Sequence, residues 1–168
     1  MIIKISNLND GVHTYNFNDS IKELGLSEPF YDNFTVDVEL NKFQNQIILD
    51  SEISLKAKFE CDRCGDEYNT VLNTKYRMVY LFGQEPDDND SIDISYLPLE
   101  ADKIDITKDV RDYALLAIPM KKLCKEDCKG LCVNCGKNLN EGDCNCSKDM
   151  IDPRWLPLQE LKNKLNIN

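Results

Sequence analysis

Eight cysteines, grouped into four close pairs, constrain this chain of 168 residues more than any other feature of its sequence. The first and third pairs are C-x-x-C-G turns, the second pair is spaced C-x-x-x-C and the fourth C-x-C. Two thiolates so close in sequence reach one ion at little entropic cost, so four pairs supply the ligands for two tetrahedral sites. The predicted metal ligands are Cys61, Cys64, Cys124, Cys128, Cys132, Cys135, Cys144 and Cys146.

The glycine that follows each C-x-x-C pair fits a zinc knuckle. Gly65 and Gly136 can adopt a positive φ and turn the backbone beneath the ion, where backbone N–H groups donate to the thiolates. Cys144 and Cys146 are two residues apart, so an extended backbone places both sulfurs on one face. Four thiolates leave no coordination position for water, so both sites are predicted to be structural.

The cysteines predict two Zn²⁺ ions with four cysteine ligands each. Residues 119–148 have almost no apolar content, and structural zinc contributes about 10–16 kcal/mol to folding, enough to order such a segment. An iron–sulfur cluster and disulfides or redox-active thiols remain open as alternatives. Against them, the C-x2-C-x2-C spacing of bacterial ferredoxins is absent, and a redox pair normally begins a helix in a βαβ setting.

Four pairs of cysteines can share two ions in three ways. We predict that the first and second pairs share one ion and that the third and fourth pairs share the other. Loop-closure entropy differs by only about 1 kcal/mol among the three arrangements, so the other two remain open. The favoured arrangement would hold the Cys-rich segment against the strands that carry the first pair.

Nothing in the sequence indicates a secreted or membrane protein. The N-terminal residues lack the basic and apolar regions of a signal peptide, and the longest apolar run, residues 114–120, is too short to cross a bilayer. We therefore expect a cytoplasmic protein without membrane association. In that compartment disulfides are disfavoured and clustered cysteines more often bind metal.

The charge is unevenly distributed. Residues 1–118 hold 11 Lys and Arg against 23 Asp and Glu, whereas residues 119–168 hold 9 against 7, which gives the net charge of −10. Strong non-specific nucleic-acid binding is disfavoured in so acidic a chain, because that affinity comes from cations that displace condensed counterions. A protein partner, or RNA met within a larger assembly, fits better.

Residues 1–118 are predicted to be mostly strand. Two short β-rich runs are expected to pair as a hairpin across Asp10 and Gly11. Alternating apolar residues then indicate three longer strands, over residues 34–40, 47–59 and 68–82. The first cysteine pair would lie at the tip of the hairpin formed by the last two.

Shorter elements complete the prediction. A short helix capped by Asp19 or Ser20 should end near Gly25, and Thr107 should cap a helix that continues to about residue 117. Isoleucines at 92, 94, 104 and 106 indicate two short strands, and residues 84–91 an acidic loop. Near the C-terminus, Asp152 is predicted to cap a further helix. The apolar face of that helix is predicted to consist of Trp155, Leu158, Leu161 and Leu165.

The fold class is therefore expected to be α+β. It should have an antiparallel β-rich core with one or two short helices, a Cys-rich zinc-knuckle module and a C-terminal helix. The predicted divisions are residues 1–118 for the β-rich domain, 119–148 for the metal-binding module and 149–168 for the C-terminal helix.

The segment LCKEDCKGLCVNCGKNLNEGDCNC, followed by IDPRWLPLQELKNKL, resembles the YceD family of large ribosomal RNA subunit accumulation proteins. The upstream CDRCG in its β-rich setting matches that family too, so the resemblance runs from the long predicted strands to the C-terminus. It implies a bacterial cytoplasmic protein needed for normal accumulation of large-subunit ribosomal RNA. It also implies a genetic link to a small zinc-bearing ribosomal protein of the large subunit, and it implies no particular reaction.

We expect a non-enzymatic, zinc-binding factor in large-subunit biogenesis that binds a ribosomal protein or precursor ribosomal RNA. No catalytic residues and no small-molecule substrate are predicted, since catalytic sequence motifs are absent and the one histidine, His13, has no nucleophile nearby in sequence. The alternative is a generic zinc-ribbon adaptor for protein interactions outside the ribosome. A nuclease would require clustered acidic or histidine ligands in a cleft, and the sequence offers none.

Overall fold

Three long antiparallel strands form the centre of an α+β fold. The computed structural model describes residues 1–84, 86, 91–146, 153–155, 157, 158 and 161. The strands are β1 (Ile2–Lys4), β2 (Gly11–Ser20), β3 (Phe30–Phe43), β4 (Gln46–Glu60), β5 (Glu67–Phe82), β6 (Ile94–Leu97) and β7 (Lys103–Asp105). The helical segments are a 3₁₀ turn at Ile21–Leu24, the helix α1 at Thr107–Leu116 and a 3₁₀ turn at Pro153–Trp155.

Five of the strands form one sheet in the order β2-β3-β4-β5-β6, and β1 pairs with β7 in a separate two-stranded sheet. The predicted antiparallel core is confirmed, with one exception at the edge, where β6 runs parallel to β5 from the pairing of Val79 with Ile94. The connection between Phe82 and Ile94 has about the length that a parallel crossover requires.

The three long strands confirm the alternation read from the sequence. Most of their apolar side chains point to one face of the sheet, which we call the inner face, while mainly polar side chains cover the outer face. Fully burying one such apolar side chain stabilises the fold by about 1.5–3 kcal/mol. The largest fully buried side chains of the inner face are Phe34, Val36, Leu40, Ile47, Leu49, Ile53 and Leu55.

Helix α1 helps to cover the inner face. Its buried residues Val110 and Ala114 belong to the main core, and the ring of Tyr113 stacks on that of Tyr76 of β5 with centroids 4.4 Å apart. Tyr80 donates a hydrogen bond of 3.1 Å to Asp109, and burial raises the pKa of that carboxyl. The predicted helix is therefore confirmed.

The predicted hairpin across Asp10 and Gly11 is wrong. The first strand pairs with β7, with Ile3 opposite Ile104, and β2 pairs with β3 instead. A turn with Asn7 at a φ of +65° separates the first two strands. The long-range pairing buries Ile3 in the main core, which a local hairpin signal does not take into account.

The two predicted helix starts have different outcomes. The first is confirmed, because Ser20 accepts a hydrogen bond from the backbone N–H of Lys22 and Gly25 ends the turn in the left-handed conformation. The second is wrong by one residue, since Thr107 is the first helical residue and not the cap. Its N–H and hydroxyl both donate to Asp105, at 2.9 and 2.6 Å, and the hydroxyl bond chiefly lowers the pKa of that carboxyl.

Some predicted features lie outside the described residues. These include most of the acidic loop at 84–91 and most of the C-terminal helix at 149–168, with its cap Asp152 and its last apolar residue Leu165. The helix and the three-part division of the chain stay predictions. Within the described ranges, no helix is long and apolar enough to cross a membrane.

We expect Ile53→Ala, at a fully buried position of the central strand β4, to lower the free energy of unfolding by about 2–5 kcal/mol. The loss combines the transfer energy of the removed carbons with the cavity that they leave. Val71→Ala on β5, where the side chain is 54% exposed, is the control and should cost at most about 1 kcal/mol. Urea unfolding followed by circular dichroism compares the two, and equal losses would contradict the placement of the core.

Candidate metal centres

The first C-x-x-C-G turn lies at the tip of the β4–β5 hairpin, as predicted. The last strand pair joins Glu60 to Glu67, and beyond it the backbone N–H of Cys61 donates to the carbonyl of Asp66 at 2.9 Å. The N–H of Gly65 then donates to the carbonyl of Cys61, also at 2.9 Å, and Gly65 has a φ of +75°. Glycine adopts this conformation at no steric cost, so the turn closes into a knuckle.

The cysteines of this knuckle meet the second cysteine pair. We call the four the hairpin site: Cys61, Cys64, Cys124 and Cys128, whose sulfurs all lie within 4.8 Å of one another. The sulfurs of Cys61 and Cys128 are 3.8 Å apart, and those of Cys64 and Cys124 are 3.7 Å apart. Thiolates about 2.3 Å from a tetrahedral ion lie about 3.8 Å from one another. The geometry of the hairpin site therefore fits one four-coordinate ion.

The hairpin site contains no disulfide bond. A disulfide joins its sulfurs at about 2.05 Å, and all four cysteines are free thiols. Three of them, Cys61, Cys64 and Cys128, are at most 4% exposed, with Leu123 and Tyr68 packed against the cluster. The site is thus shielded from solvent on most sides.

Hydrogen bonds favour the thiolate form of two of these sulfurs, those of Cys61 and Cys128. Burial opposes ionisation of Cys61, but backbone N–H groups outweigh it and lower the pKa of this thiol to about 6. The donors belong to Cys124, Arg63 and Cys64. The side-chain amide of Asn140 donates to the sulfur of Cys128 at 3.3 Å and lowers its pKa as well.

The remaining sulfurs of the hairpin site behave in the opposite way. Burial raises the pKa of Cys124, and the pKa of Cys64 is also raised, although the backbone N–H of Asp66 opposes the shift. Four thiolates this close repel one another unless a cation lies between them. The arrangement therefore suits a bound cation and disfavours four free thiolates.

Backbone contacts fasten the Cys-rich segment to the hairpin tip. The N–H of Asp62 donates to the carbonyl of Lys122 at 2.8 Å, and the N–H of Lys122 returns a bond of 2.6 Å to the Asp62 carboxylate. Arg63 accepts from the N–H of Leu131 at 3.1 Å, and its guanidinium donates to the carbonyl of Cys128 at 2.7 Å. The two residues between the cysteines of the first knuckle thus bind the second half of the site.

A close approach of two backbones requires glycine at position 130. Gly130 has a φ of +73°, and a Cβ atom built there would lie 2.9 Å from the carbonyl oxygen of Arg63. Real Cβ contacts are essentially never so short. Sequence reasoning missed Gly130 and Arg63, and the only local signal was a glycine between two cysteine pairs.

The third and fourth cysteine pairs form a second cluster, as predicted from spacing. We call it the tail site: Cys132, Cys135, Cys144 and Cys146, with all sulfurs within 4.8 Å of one another. Its knuckle repeats the first, since the N–H of Gly136 donates to the carbonyl of Cys132 at 2.8 Å and the N–H of Cys132 to that of Lys137 at 2.8 Å. The tail site is more open than the hairpin site, because Cys135 is exposed and the other three cysteines are half-buried.

The tail site shows the same division of thiol acidity. Backbone N–H groups of Asn134 and Cys135 lower the pKa of Cys132 to about 6. Hydrogen bonding with Cys135, followed by burial, raises the pKa of Cys146 to about 12. As in the hairpin site, a cation would allow all four sulfurs to ionise together.

Two asparagines connect the sites. The amide of Asn138 donates to Asp66 in the first knuckle at 2.8 Å, and its carbonyl oxygen accepts from the backbone N–H of Asn140 at 3.0 Å. The side-chain oxygen of Asn140 accepts from the N–H of Lys129 at 2.9 Å, while its amide contacts Cys128. Sequence reasoning did not single out either residue. Together they hold the two clusters in one hydrogen-bonded unit.

The structure brings all eight predicted cysteines together in the predicted arrangement, and both clusters could hold metal ions. It places His13 apart from them, where the ring contacts the carbonyl oxygen of Asn9 at 2.9 Å. That no residue is catalytic stays a prediction.

Comparison with known proteins gives a family. Residues 49–162 match the family described as Large ribosomal RNA subunit accumulation protein YceD. This range holds both cysteine clusters, β5, α1 and all but the first three residues of β4. No solved structure matches the chain at a significant level.

Three relatives show how widely the similarity extends. The chain is 26% identical to the chloroplastic "Large ribosomal RNA subunit accumulation protein YCED homolog 1" of Arabidopsis thaliana, over 77% of this chain and 49% of that protein. It is 42% identical to the protein of the same name from Zea mays over 35% of this chain and 20% of that protein. An uncharacterized protein of Mycobacterium tuberculosis is 21% identical over 75% of this chain and 60% of its own length.

The chain thus spans about half the length of the Arabidopsis relative. The family match itself covers more than half of the chain and includes every cysteine of the two clusters. The chain therefore belongs to the YceD family of large ribosomal RNA subunit accumulation proteins.

Proposed function

We propose that this chain is a non-enzymatic factor of large ribosomal subunit biogenesis whose working shape depends on two zinc ions. The observation that carries the proposal is the hairpin site, where sulfur–sulfur distances of 3.7 and 3.8 Å fit a tetrahedral ion. The family is named for the accumulation of large-subunit ribosomal RNA. We place the protein with the ribosomes, in a reducing compartment such as the cytoplasm, where clustered thiols stay available for metal.

Zinc fits the two sites better than the alternatives that cysteine spacing leaves open. Tetrahedral sets of four sulfurs are typical of zinc and of iron. Zinc undergoes no redox change, which suits sites that join segments of backbone. Disulfides would require sulfurs at about half the spacing found in the hairpin site.

The coordination expected at the metal sites favours a protein that binds a partner over one that catalyses a reaction. An ion held by four thiolates has no open position for a water molecule or a substrate. The hairpin site is also largely closed to solvent, because three of its cysteines are at most 4% exposed. The protein is therefore proposed to act by holding a partner, with no small-molecule substrate.

Charge favours a basic protein as that partner. The chain has a net charge of −10, and each ion bound by four thiolates would make it more negative still. Ribosomal proteins are basic because they bind ribosomal RNA, so an acidic factor can bind one before RNA does. Precursor ribosomal RNA is the second candidate partner, and it would reach this acidic protein through an assembly intermediate.

Depletion of the protein should lower the ratio of large- to small-subunit ribosomal RNA, because large-subunit assembly would stall without its factor. Gel quantification of the two RNAs in a deletion strain measures the ratio. Re-expression of the wild-type chain is the control and should restore it. An unchanged ratio, together with capture of partners only from outside the ribosome, would indicate a general protein-interaction adaptor and contradict the proposed function.

Cys61→Ser and Cys135→Ser form a matched pair that tests the metal sites. Each should reduce the bound zinc from about two ions per chain to about one, as measured by native mass spectrometry, because each removes one of four ligands. Only Cys61→Ser should expose the amides of Asp62 and Leu131 to hydrogen exchange, since the hairpin site joins their segments. Equal exchange in both variants would contradict the proposed role of the hairpin site.

Gly130→Ala and Gly136→Ala separate backbone strain from steric contact. Both glycines have a positive φ, at +73° and +71°, so alanine should cost about 1–2 kcal/mol at either position. Only at Gly130 would the new Cβ meet the carbonyl oxygen of Arg63. We expect Gly130→Ala to lose more unfolding free energy and to release zinc to a chelator faster. Similar values for both variants would show that the close approach is unimportant.

A further inference from the structure

The outer face of the five-stranded sheet contains a groove of about 650 Å³. We call it the carboxylate groove, and its charged lining consists of Asp37, Glu39, Asp50, Glu52, Lys75 and Arg77. It lies on β3, β4 and β5, on the face away from the core, and reaches β2 at Thr14. The feature belongs to the β-rich part of the chain and includes no cysteine of the metal sites.

The strand register arranges these charges in two rows across the sheet. In one row Glu39 of β3 lies opposite Asp50 of β4, which lies opposite Arg77 of β5. The second row repeats this order two residues along each strand, with Asp37 opposite Glu52 and Glu52 opposite Lys75. Each row therefore has two adjacent carboxylates and one cation, and both cations are at the β5 end.

The cations of the groove neutralise only the carboxylates of β4. Arg77 donates to both carboxylate oxygens of Asp50, at 2.7 and 3.0 Å, and the ammonium of Lys75 lies 2.9 Å from Glu52. Across the described part of the chain, Asp37 and Glu39 of β3 have no ion pair with a basic side chain, although Asp37 accepts a bond of 2.6 Å from the amide of Asn16. Both carboxylates are exposed.

The sheet retains like charges in directly opposed positions. Carboxylates that face each other on neighbouring strands are destabilising, and here two such pairs lie side by side. A cationic side chain above Asp37 and Glu39 would relieve this repulsion, as Lys75 and Arg77 already do at the β5 end. The unbalanced half of the groove thus has the chemistry to recognise lysine and arginine.

We propose that the carboxylate groove binds a short, extended, lysine- and arginine-rich segment of a protein partner. Across four strands spaced about 4.8 Å apart the groove is about 14 Å long, which matches about four extended residues. The inference rests on the proposed function in one respect, since ribosomal proteins would supply such a segment. The charged side chains that would recognise such a segment, however, belong to the sheet and do not depend on the identity of the partner.

Binding can be measured by fluorescence anisotropy with a labelled eight-residue peptide of alternating lysine and arginine. The double variant Asp37→Asn/Glu39→Gln should weaken binding about 5-fold or more, because it removes both carboxylates that lack a cation. The control Asp19→Asn/Glu60→Gln changes the net charge equally at exposed positions of the same sheet outside the groove, and should change affinity less than about 2-fold. Equal weakening by both variants would overturn the proposal.

Removal of the resident cations gives a test of opposite sign. Lys75→Ala/Arg77→Ala should tighten peptide binding about 5-fold, since it frees Asp50 and Glu52 for the peptide. The control Lys56→Ala/Lys58→Ala also frees two carboxylates of the sheet, but these partners lie outside the groove. Tightening of the same size in the control, or no peptide binding by the wild type, would also overturn the proposal.

A cellular measurement distinguishes failure of this inference from failure of the proposed function. If deletion lowers large-subunit ribosomal RNA but the groove variants bind the peptide as the wild type does, only the groove assignment is wrong. If deletion leaves that RNA unchanged while the groove variants behave as expected, the proposed function is wrong and the groove assignment holds. If the groove variants alter binding of a precursor ribosomal RNA fragment and not of the peptide, the face belongs to RNA, which contradicts the proposal.

Discussion

The cluster of four sulfurs at the tip of the β4–β5 hairpin determines where the Cys-rich segment, residues 119–146, can lie. Residues 119–146 contribute nothing to the main hydrophobic core, and Leu123 packs instead against the separate cluster at the hairpin site. Their attachment consists of the hairpin site, its hydrogen bonds and the close approach of Gly130 to Arg63. The tail site follows directly after this contact in sequence, so its location depends on the same interaction.

The two clusters use one local design in different surroundings. Both begin with a C-x-x-C-G knuckle in which the glycine N–H donates to the carbonyl of the first cysteine. The N–H of that cysteine donates in turn to the carbonyl of the residue after the glycine, which closes the turn. The hairpin knuckle is covered by the segment that it binds, whereas the tail knuckle presents Val133 with its side chain 99% exposed. The chain belongs to the YceD family, which is named for the accumulation of large-subunit ribosomal RNA.

Sequence alone predicted what depends on local pattern. Strict alternation located β3, β4 and β5, and the close spacing within each cysteine pair predicted that both sulfurs of a pair face one site, because both features are decided within a few residues. The meeting of the first and second pairs joins residues about 60 positions apart, and the favoured arrangement predicted it correctly. Sequence reasoning failed for β1, whose pairing with β7 joins residues about a hundred positions apart. Arg63, Gly130 and Asn140 were missed for the same reason, since their contacts exist only after the segment has folded back on the hairpin.

One continuous pair of strands carries both the carboxylate groove and the hairpin site. Along β4, nine positions separate Glu52 from Cys61, and at about 3.3 Å per residue the two features are about 30 Å apart. Hydrogen bonds between β4 and β5 run without interruption from Gln46 to Glu60, so the spacing is fixed by a rigid ladder. A segment bound in the carboxylate groove would therefore lie at a fixed distance of about 30 Å from the hairpin site.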